Sequence, residues 1–99
     1  MLHLTFTVRN PSSEAVKIVY PSGQKYDFAI VDSTSGKQVW RWSASRTFLA
    51  AIVEESLPAG GTLTFVETWK PAARGRFLAH AWLTSTSHRA EAYAAVVVP

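Results

Sequence analysis

The chain of 99 residues contains no cysteine, and this absence excludes several classes of function. A disulfide framework, a thiol nucleophile and a thiolate-held zinc or iron–sulfur centre all require cysteine. Charged residues are also few, at 17% of the chain, whereas 47% of the residues are hydrophobic. A chain of this composition buries a core instead of remaining disordered. We therefore expect one folded domain over residues 1–99, suited to a reducing compartment.

Long apolar runs are missing as well. No stretch approaches the roughly twenty apolar residues of a membrane helix, so we expect no membrane partner. The first residues, MLHLTFTV, alternate at once, whereas a secretory leader has a charged start and then an unbroken apolar run. The sequence therefore predicts a cytoplasmic protein, or an extracellular one if the chain is a fragment of a longer precursor.

The basic residues do not form a block. The net charge is +3, and the six arginines are scattered along the chain at Arg9, Arg41, Arg46, Arg74, Arg76 and Arg89. A nucleic-acid-binding arm is normally a dense basic segment, and single-strand binding also needs aromatic residues near the basic ones. We therefore expect no nucleic-acid partner.

Motifs for catalysis and cofactor binding are missing too. There is no Gly-x-Ser-x-Gly elbow, and PAGGT has glycines without the lysine and helix of a phosphate loop. A metal site would require His3, His80 and His88 to converge by chance. The sequence therefore predicts no enzyme, no cofactor and no metal.

The chain does contain alternating apolar and polar residues, which is typical of half-buried strands. In LHLTFTV, for example, every second residue is apolar. Further strands are predicted at 15–20, 25–32, 37–42, 51–57, 62–69, 76–84 and 90–98, with a loop or one helical turn at 43–50. Seven to eight strands without a convincing helix favour an all-β, antiparallel immunoglobulin-like β-sandwich. A small barrel, including the five-stranded oligonucleotide-binding kind, is the alternative.

Two tryptophans bracket an arginine in KQVWRWS. Because Trp40 and Trp42 are two residues apart, a strand places them on one face and Arg41 on the other. In one interpretation at least one indole lies in the core between the sheets. In the other, the pair is a stacking platform for a sugar, a base or a partner's aromatic pocket. Two exposed indoles would promote aggregation, which favours the core.

The strand at 76–84 raises a similar question on its outer face. If Phe77, Ala79, Ala81 and Leu83 face inward, then Leu78 and Trp82 face outward. An outward tryptophan beside a leucine is either an interface or an edge covered by the last strand.

Several segments taken together resemble a known family. They are YPSGQKYDFAIVD (20–32), GKQVWRWS (36–43), Phe48, LPAGGTL (57–63), FVETW (65–69), and Gly75 followed by Phe77. Their order and spacing, over about residues 6–84, are similar to those of the intracellular proteinase inhibitor family of Bacillus type, the BsuPI domain. The family usually has tyrosine where this chain has Phe77, so one hydroxyl is lost.

The resemblance implies an immunoglobulin-like β-sandwich that inhibits an intracellular subtilisin-like serine protease. It implies structural roles for the motif residues Tyr26, Asp27, Phe28, Trp40, Trp42, Trp69, Gly75 and Phe77. Asp27 is either a solvated or cross-strand-paired carboxylate, or one that holds the adjacent loop through backbone N–H groups. The family match favours the second interpretation. It supplies no reactive-site residue.

Two loops are candidates for contact with a protease. In SASRTFLA (43–50), Phe48 and Leu49 suit an apolar specificity pocket, with Arg46 at its rim; alternatively, Phe48 closes one end of the core. In KPAARGR (70–76), Pro71 stiffens the loop and Arg74 is charged. The second hypothesis for function is a non-inhibitory immunoglobulin-like interaction module, possibly part of a longer chain. The oligomeric state is not predicted.

Overall fold

The computed structural model describes residues 1–99 and contains eight strands and no α-helix. The strands are β1 (Leu2–Arg9), β2 (Val16–Tyr20), β3 (Tyr26–Asp32), β4 (Gln38–Arg41), β5 (Val53–Leu57), β6 (Thr62–Trp69), β7 (Gly75–Leu83) and β8 (Glu91–Val98). One turn of 3-10 helix, Trp42–Ser45, follows β4. All strand pairs are antiparallel, so the predicted all-β class is confirmed.

The strands form two layers around one core. One layer is a four-stranded sheet in the order β4-β3-β7-β8, and the other consists of the two-stranded ribbons β1–β6 and β2–β5. Side chains from both layers meet in a single hydrophobic cluster that includes Phe6, Ile18, Phe28, Trp69 and Phe77. This is the predicted immunoglobulin-like sandwich, and division into separate sheets argues against the barrel alternative.

The predicted alternation is confirmed along β7. Phe77, Ala79, Ala81 and Leu83 are buried, while Leu78 and Trp82 lie on the outer face of the four-stranded sheet. Strand β8 lies beside β7 in the same sheet and therefore does not cover that outer face.

The prediction that Trp40 and Trp42 share one strand is wrong in one detail. Strand β4 ends at Arg41, and Trp42 begins the 3-10 turn. Both indoles still pack on the core, where Trp42 is buried and Trp40 half-buried. The core interpretation is therefore confirmed.

The sandwich has two ends, which are named here after the ends of β3. At the Tyr26 end, Tyr26 pairs with Leu83, and at the Asp32 end, Asp32 pairs with Phe77. Seven residues of strand separate the ends by roughly 20 Å. The structure has no helix with the length and hydropathy needed to span a bilayer.

Candidate functional site

At the Tyr26 end, a buried carboxylate holds the start of the loop that follows β4. Asp27 is fully buried and accepts hydrogen bonds from the N–H of Phe28 at 2.8 Å, the Nε of Arg41 at 2.9 Å and the N–H of Ser43 at 3.2 Å. The hydroxyl of Ser43 also donates to this carboxylate. Asp27 therefore combines the two roles suggested by the sequence, because it pairs with a cross-strand cation and also fixes the adjacent loop.

An aromatic stack holds the middle of the same loop. The Trp42 ring stacks on Tyr26 with centroids 4.5 Å apart, and Phe48 packs against Trp42 at 5.6 Å. The guanidinium of Arg46 lies 4.6 Å from the centroid of the Trp42 ring, within cation–π range. On its other side, Tyr26 stacks on Phe65 of the opposite layer at 4.4 Å. Phe48 is thus half-buried at one end of the core, which agrees with the alternative given for it above.

The hydroxyl of Tyr26 is held in its neutral form. It donates a hydrogen bond to Glu67. Burial, followed by this contact and the charge of Glu67, raises the pKa of Tyr26 well above its ordinary value, and the charge of Arg46 opposes the rise. The stack therefore rests on a tyrosine that remains protonated at all physiological pH values.

A backbone contact holds the loop at Leu49. The carbonyl of Leu49 accepts a hydrogen bond from the N–H of Gly23 at 2.8 Å. A Cβ atom at position 23 would lie 3.3 Å from the Cβ and backbone nitrogen of Leu49, so glycine permits this close approach. Residues 43–52, called the anchored loop below, are thus fixed at Ser43, Phe48 and Leu49.

The remaining groups of the anchored loop are available to a partner. Leu49 and Ile52 are 72% and 73% exposed, more than any other leucine, isoleucine or valine of the chain. Apart from the Leu49 carbonyl, no backbone group in residues 47–52 makes a hydrogen bond within the chain. The loop therefore presents unpaired backbone donors and acceptors between two apolar side chains.

Ile52 was missed because the sequence placed it in a strand. β5 begins at Val53 and not at residue 51 as predicted. Val53 pairs with Tyr20, and the next residue of β2 would be Pro21, which has no N–H to extend the ladder. Pro21 was the available signal that residues 51 and 52 belong to the loop.

The second candidate loop lies at the other end of the molecule. Residues 70–74 follow Trp69 at the Asp32 end, where Pro71 is half-buried and Arg74 is exposed. They border an open groove of about 340 Å³ that is also lined by Trp40, Trp69 and Phe77. The structure therefore brings Arg46, Phe48 and Leu49 together, but it does not bring Pro71 and Arg74 to them.

The remaining motif residues lie in the core or at the start of β7. Trp69 and Phe77 meet edge to face across the two layers, with centroids 5.2 Å apart. Gly75 has a φ of 144°, a conformation that L side chains rarely adopt, and it starts β7 two residues before Phe77. Phe28 is buried in the same core.

The outer face of the four-stranded sheet carries a row of rings. His80 stacks on Tyr93 at 4.2 Å and lies 4.6 Å from Trp82, whose other neighbour is the guanidinium of Arg41 at 5.2 Å. The Nε2 of His80 lies 3.2 Å from the carboxylate of Glu91. β8 pairs along the edge of β7 and does not lie over the outer face that carries this row.

Comparison with known proteins identifies the family. The model of a family described as intracellular proteinase inhibitor, BsuPI, matches residues 1–88. No curated protein matches the chain. Because the match covers nearly all of the sandwich, including β1 to β7 and the whole anchored loop, the chain belongs to the BsuPI family of intracellular proteinase inhibitors.

Proposed function

We propose that this chain inhibits a subtilisin-like serine protease of the cytoplasm and that the anchored loop enters the protease cleft. The observation that carries the proposal is the exposure of Leu49 and Ile52 on a loop that is fixed at three points. The family description supports the general role of proteinase inhibitor.

The form of the loop suits a protease cleft. Proteins that bind peptides in a cleft pair with the peptide backbone and take side chains into pockets. Residues 47–52 offer such a backbone, since only the carbonyl of Leu49 is hydrogen-bonded within the chain. The anchors at Asp27, Trp42 and Gly23 order the loop when the domain folds. Little ordering entropy is then lost on binding, which favours high affinity.

The geometry also indicates which peptide bond is withheld from attack. The carbonyl at a scissile bond must point into the protease's oxyanion hole and receive its donors. The carbonyl of Leu49 is already engaged by the N–H of Gly23 at 2.8 Å. We therefore assign Leu49 to an apolar pocket away from the reacting bond and Ile52 to a second pocket, while Arg46 remains stacked on Trp42 at the rim.

An inhibition assay with paired variants tests the proposal. The wild-type chain is titrated against a subtilisin-like protease, and the residual hydrolysis of a chromogenic peptide gives the inhibition constant. Burying a leucine or isoleucine side chain contributes about 1.5–3 kcal/mol, so Leu49→Ala and Ile52→Ala should each weaken inhibition about 10- to 100-fold. Val97→Ala is the matched control, since Val97 is also an exposed aliphatic residue but lies on β8. It should leave the inhibition constant unchanged.

Three results would contradict the proposal. If both alanine variants inhibit like the wild type and Arg74→Ala does not, the contact belongs to the loop at the Asp32 end. If Val97→Ala weakens inhibition as much as Leu49→Ala, the loop is not the contact. If the wild-type chain does not inhibit at micromolar concentration, or is digested, the non-inhibitory interaction module is the better description.

A further inference from the structure

The last strand is a sheet edge without the usual protection. β8 has eight residues and pairs only with β7, so its other edge is free. Natural edge strands carry charges, prolines or bulges that prevent pairing with another chain, or they are covered. None of residues 92–98 is charged or a proline, and Tyr93 and Val97 are 57% and 66% exposed. The free edge of β8 is thus open to backbone hydrogen bonds with a strand of another chain.

We infer that the partner of β8 is β8 of a second copy of this chain. The two strands would run antiparallel about a two-fold axis and join two four-stranded sheets into one sheet of eight strands. A two-fold contact brings the same patch from each copy together, so the patch must complement itself. β8 meets this condition in the size of its side chains and in charge.

The side chains fix a register. Directly opposite residues of an antiparallel pair point to the same face of the sheet. A two-fold axis perpendicular to the sheet leaves each residue on its own face, so opposite residues must be an even number of positions apart in the sequence. The axis must therefore pass through a residue and not between two residues. With the axis at Ala94, Tyr93 lies opposite Ala95 of the second copy, and Ala92 lies opposite Val96 of the second copy. Each large side chain thus faces a small one. Val96 of the second copy would also border the groove of about 200 Å³ that lies between β1 and β8 and is lined by Leu4, Ala92 and Ala94.

The charges are complementary in the same register. Glu91 falls opposite Val97 of the second copy, and within each chain the neighbour of Val97 on β7 is Arg76. Glu91 and Arg76 both lie on the outer face, so the dimer places opposite charges near each other twice. Pairing over residues 91–97 adds about seven backbone hydrogen bonds, which is within the usual range of about ten per stable interface.

Sedimentation velocity over a range of concentrations tests the inference with the full chain. The wild type should sediment as a dimer in reversible exchange with monomer. Ala94→Lys places two like charges beside the axis and should raise the dissociation constant about 5-fold. Val66→Lys is the matched control, because Val66 is 52% exposed on β6, which is in a different sheet from β8, and should leave the dimer intact.

A single introduced thiol tests the register. Because the chain has no cysteine, Ala94→Cys carries one thiol per copy. Opposite Cα atoms of an antiparallel pair are about 4.5–5.5 Å apart, within the range of a disulfide. Mild oxidation should therefore cross-link Ala94→Cys rapidly and should leave Val66→Cys as monomers in a denaturing gel.

The inference fails if the wild type is monomeric at every concentration, or if its dimer tolerates Ala94→Lys. The double variant Glu91→Arg with Arg76→Glu should dimerise better than either single variant, and equal dimerisation of all three would contradict the proposed register. These outcomes are independent of protease inhibition. The anchored loop follows β4, at the opposite edge of the sheet from β8, so Ala94→Lys should leave inhibition unchanged.

Discussion

Strand β3 has an aspartate near each end, and the two carboxylates differ in how far along the chain their hydrogen-bond partners lie. Asp32, at the exposed end, accepts hydrogen bonds from the N–H groups of Thr34 at 2.8 Å and Ser35 at 3.2 Å. These contacts span two or three residues and shape only the turn that follows. Asp27, at the Tyr26 end, is fully buried and reaches Ser43, sixteen residues further along the chain. A local carboxylate shapes a turn, whereas a buried carboxylate with distant partners positions a loop.

The two tryptophans near these ends differ in the same way. Trp42 lies at the Tyr26 end and joins Tyr26, Arg46 and Phe48 into one stack. Trp40 faces the groove at the Asp32 end and is only half-buried. Trp42 is therefore held by more ring and cation contacts than Trp40. Because Trp42 begins the segment that leads into the anchored loop, these contacts hold the exposed side chains of that loop in place for a partner.

The largest expected effect comes from shortening the two tryptophans. Trp42→Ala should lower the free energy of unfolding by about 4 kcal/mol, as is typical of a buried aromatic residue, and Trp40→Ala by about 2 kcal/mol. Urea denaturation followed by circular dichroism measures both. Trp42→Phe should cost much less than Trp42→Ala, because the Nε1 of Trp42 is buried without a hydrogen-bond partner and its removal leaves nothing else unpaired. Equal losses for Trp40→Ala and Trp42→Ala would contradict the difference in packing between the two tryptophans.

The next largest difference is in the unfolding free energy lost when each of the two aspartates is replaced by alanine. Asp27→Ala leaves the buried N–H of Phe28 and the half-buried N–H of Ser43 without their acceptor, which should cost about 3 kcal/mol. Asp32→Ala frees N–H groups that water can reach, and should cost about 1 kcal/mol or less. The same urea titration gives both values. Asp27→Ala should also weaken protease inhibition under conditions where the domain remains folded, while Asp32→Ala should not.

The last effect is a loss of stability in alkali, which is absent at neutral pH. Burial and a hydrogen-bonded glutamate raise the pKa of Tyr20 and Tyr26 in the folded chain above the ordinary value of 10. The unfolded chain therefore releases these protons first as the pH rises. The contribution of the two tyrosines is fully present below about pH 10 and is lost progressively above it. Denaturation at a series of pH values should show this decline, and Tyr26→Phe should make it shallower. A wild-type stability that stays constant to about pH 12 would contradict it.

The sequence was sufficient for the parts of the fold that depend on local pattern. Alternation at residues 76–84 predicted which side chains of β7 face inward, because a strand has a period of two. The end of β4 was not predictable in this way. It depends on a hydrogen bond from the N–H of Ser43 to the carboxylate of Asp27, and no local sequence pattern connects residues so far apart. Likewise, burial of Phe48 depends on the direction that the chain takes at Trp42, and the exposure of Ile52 depends on Pro21, which lies just after β2.

The hydrogen bond from the N–H of Gly23 to the carbonyl of Leu49 has a consequence for an anchored loop that a protease has cleaved. If a protease hydrolyses a peptide bond between Ala50 and Val53, the new carboxyl terminus stays attached through Leu49 and Phe48. The new amino terminus stays attached because Val53 is paired with Tyr20 in the ribbon β2–β5. The two new termini then remain close together within the cleft, where re-formation of the peptide bond competes with dissociation from the protease. A nicked molecule should therefore leave the enzyme slowly and still act as a ligand.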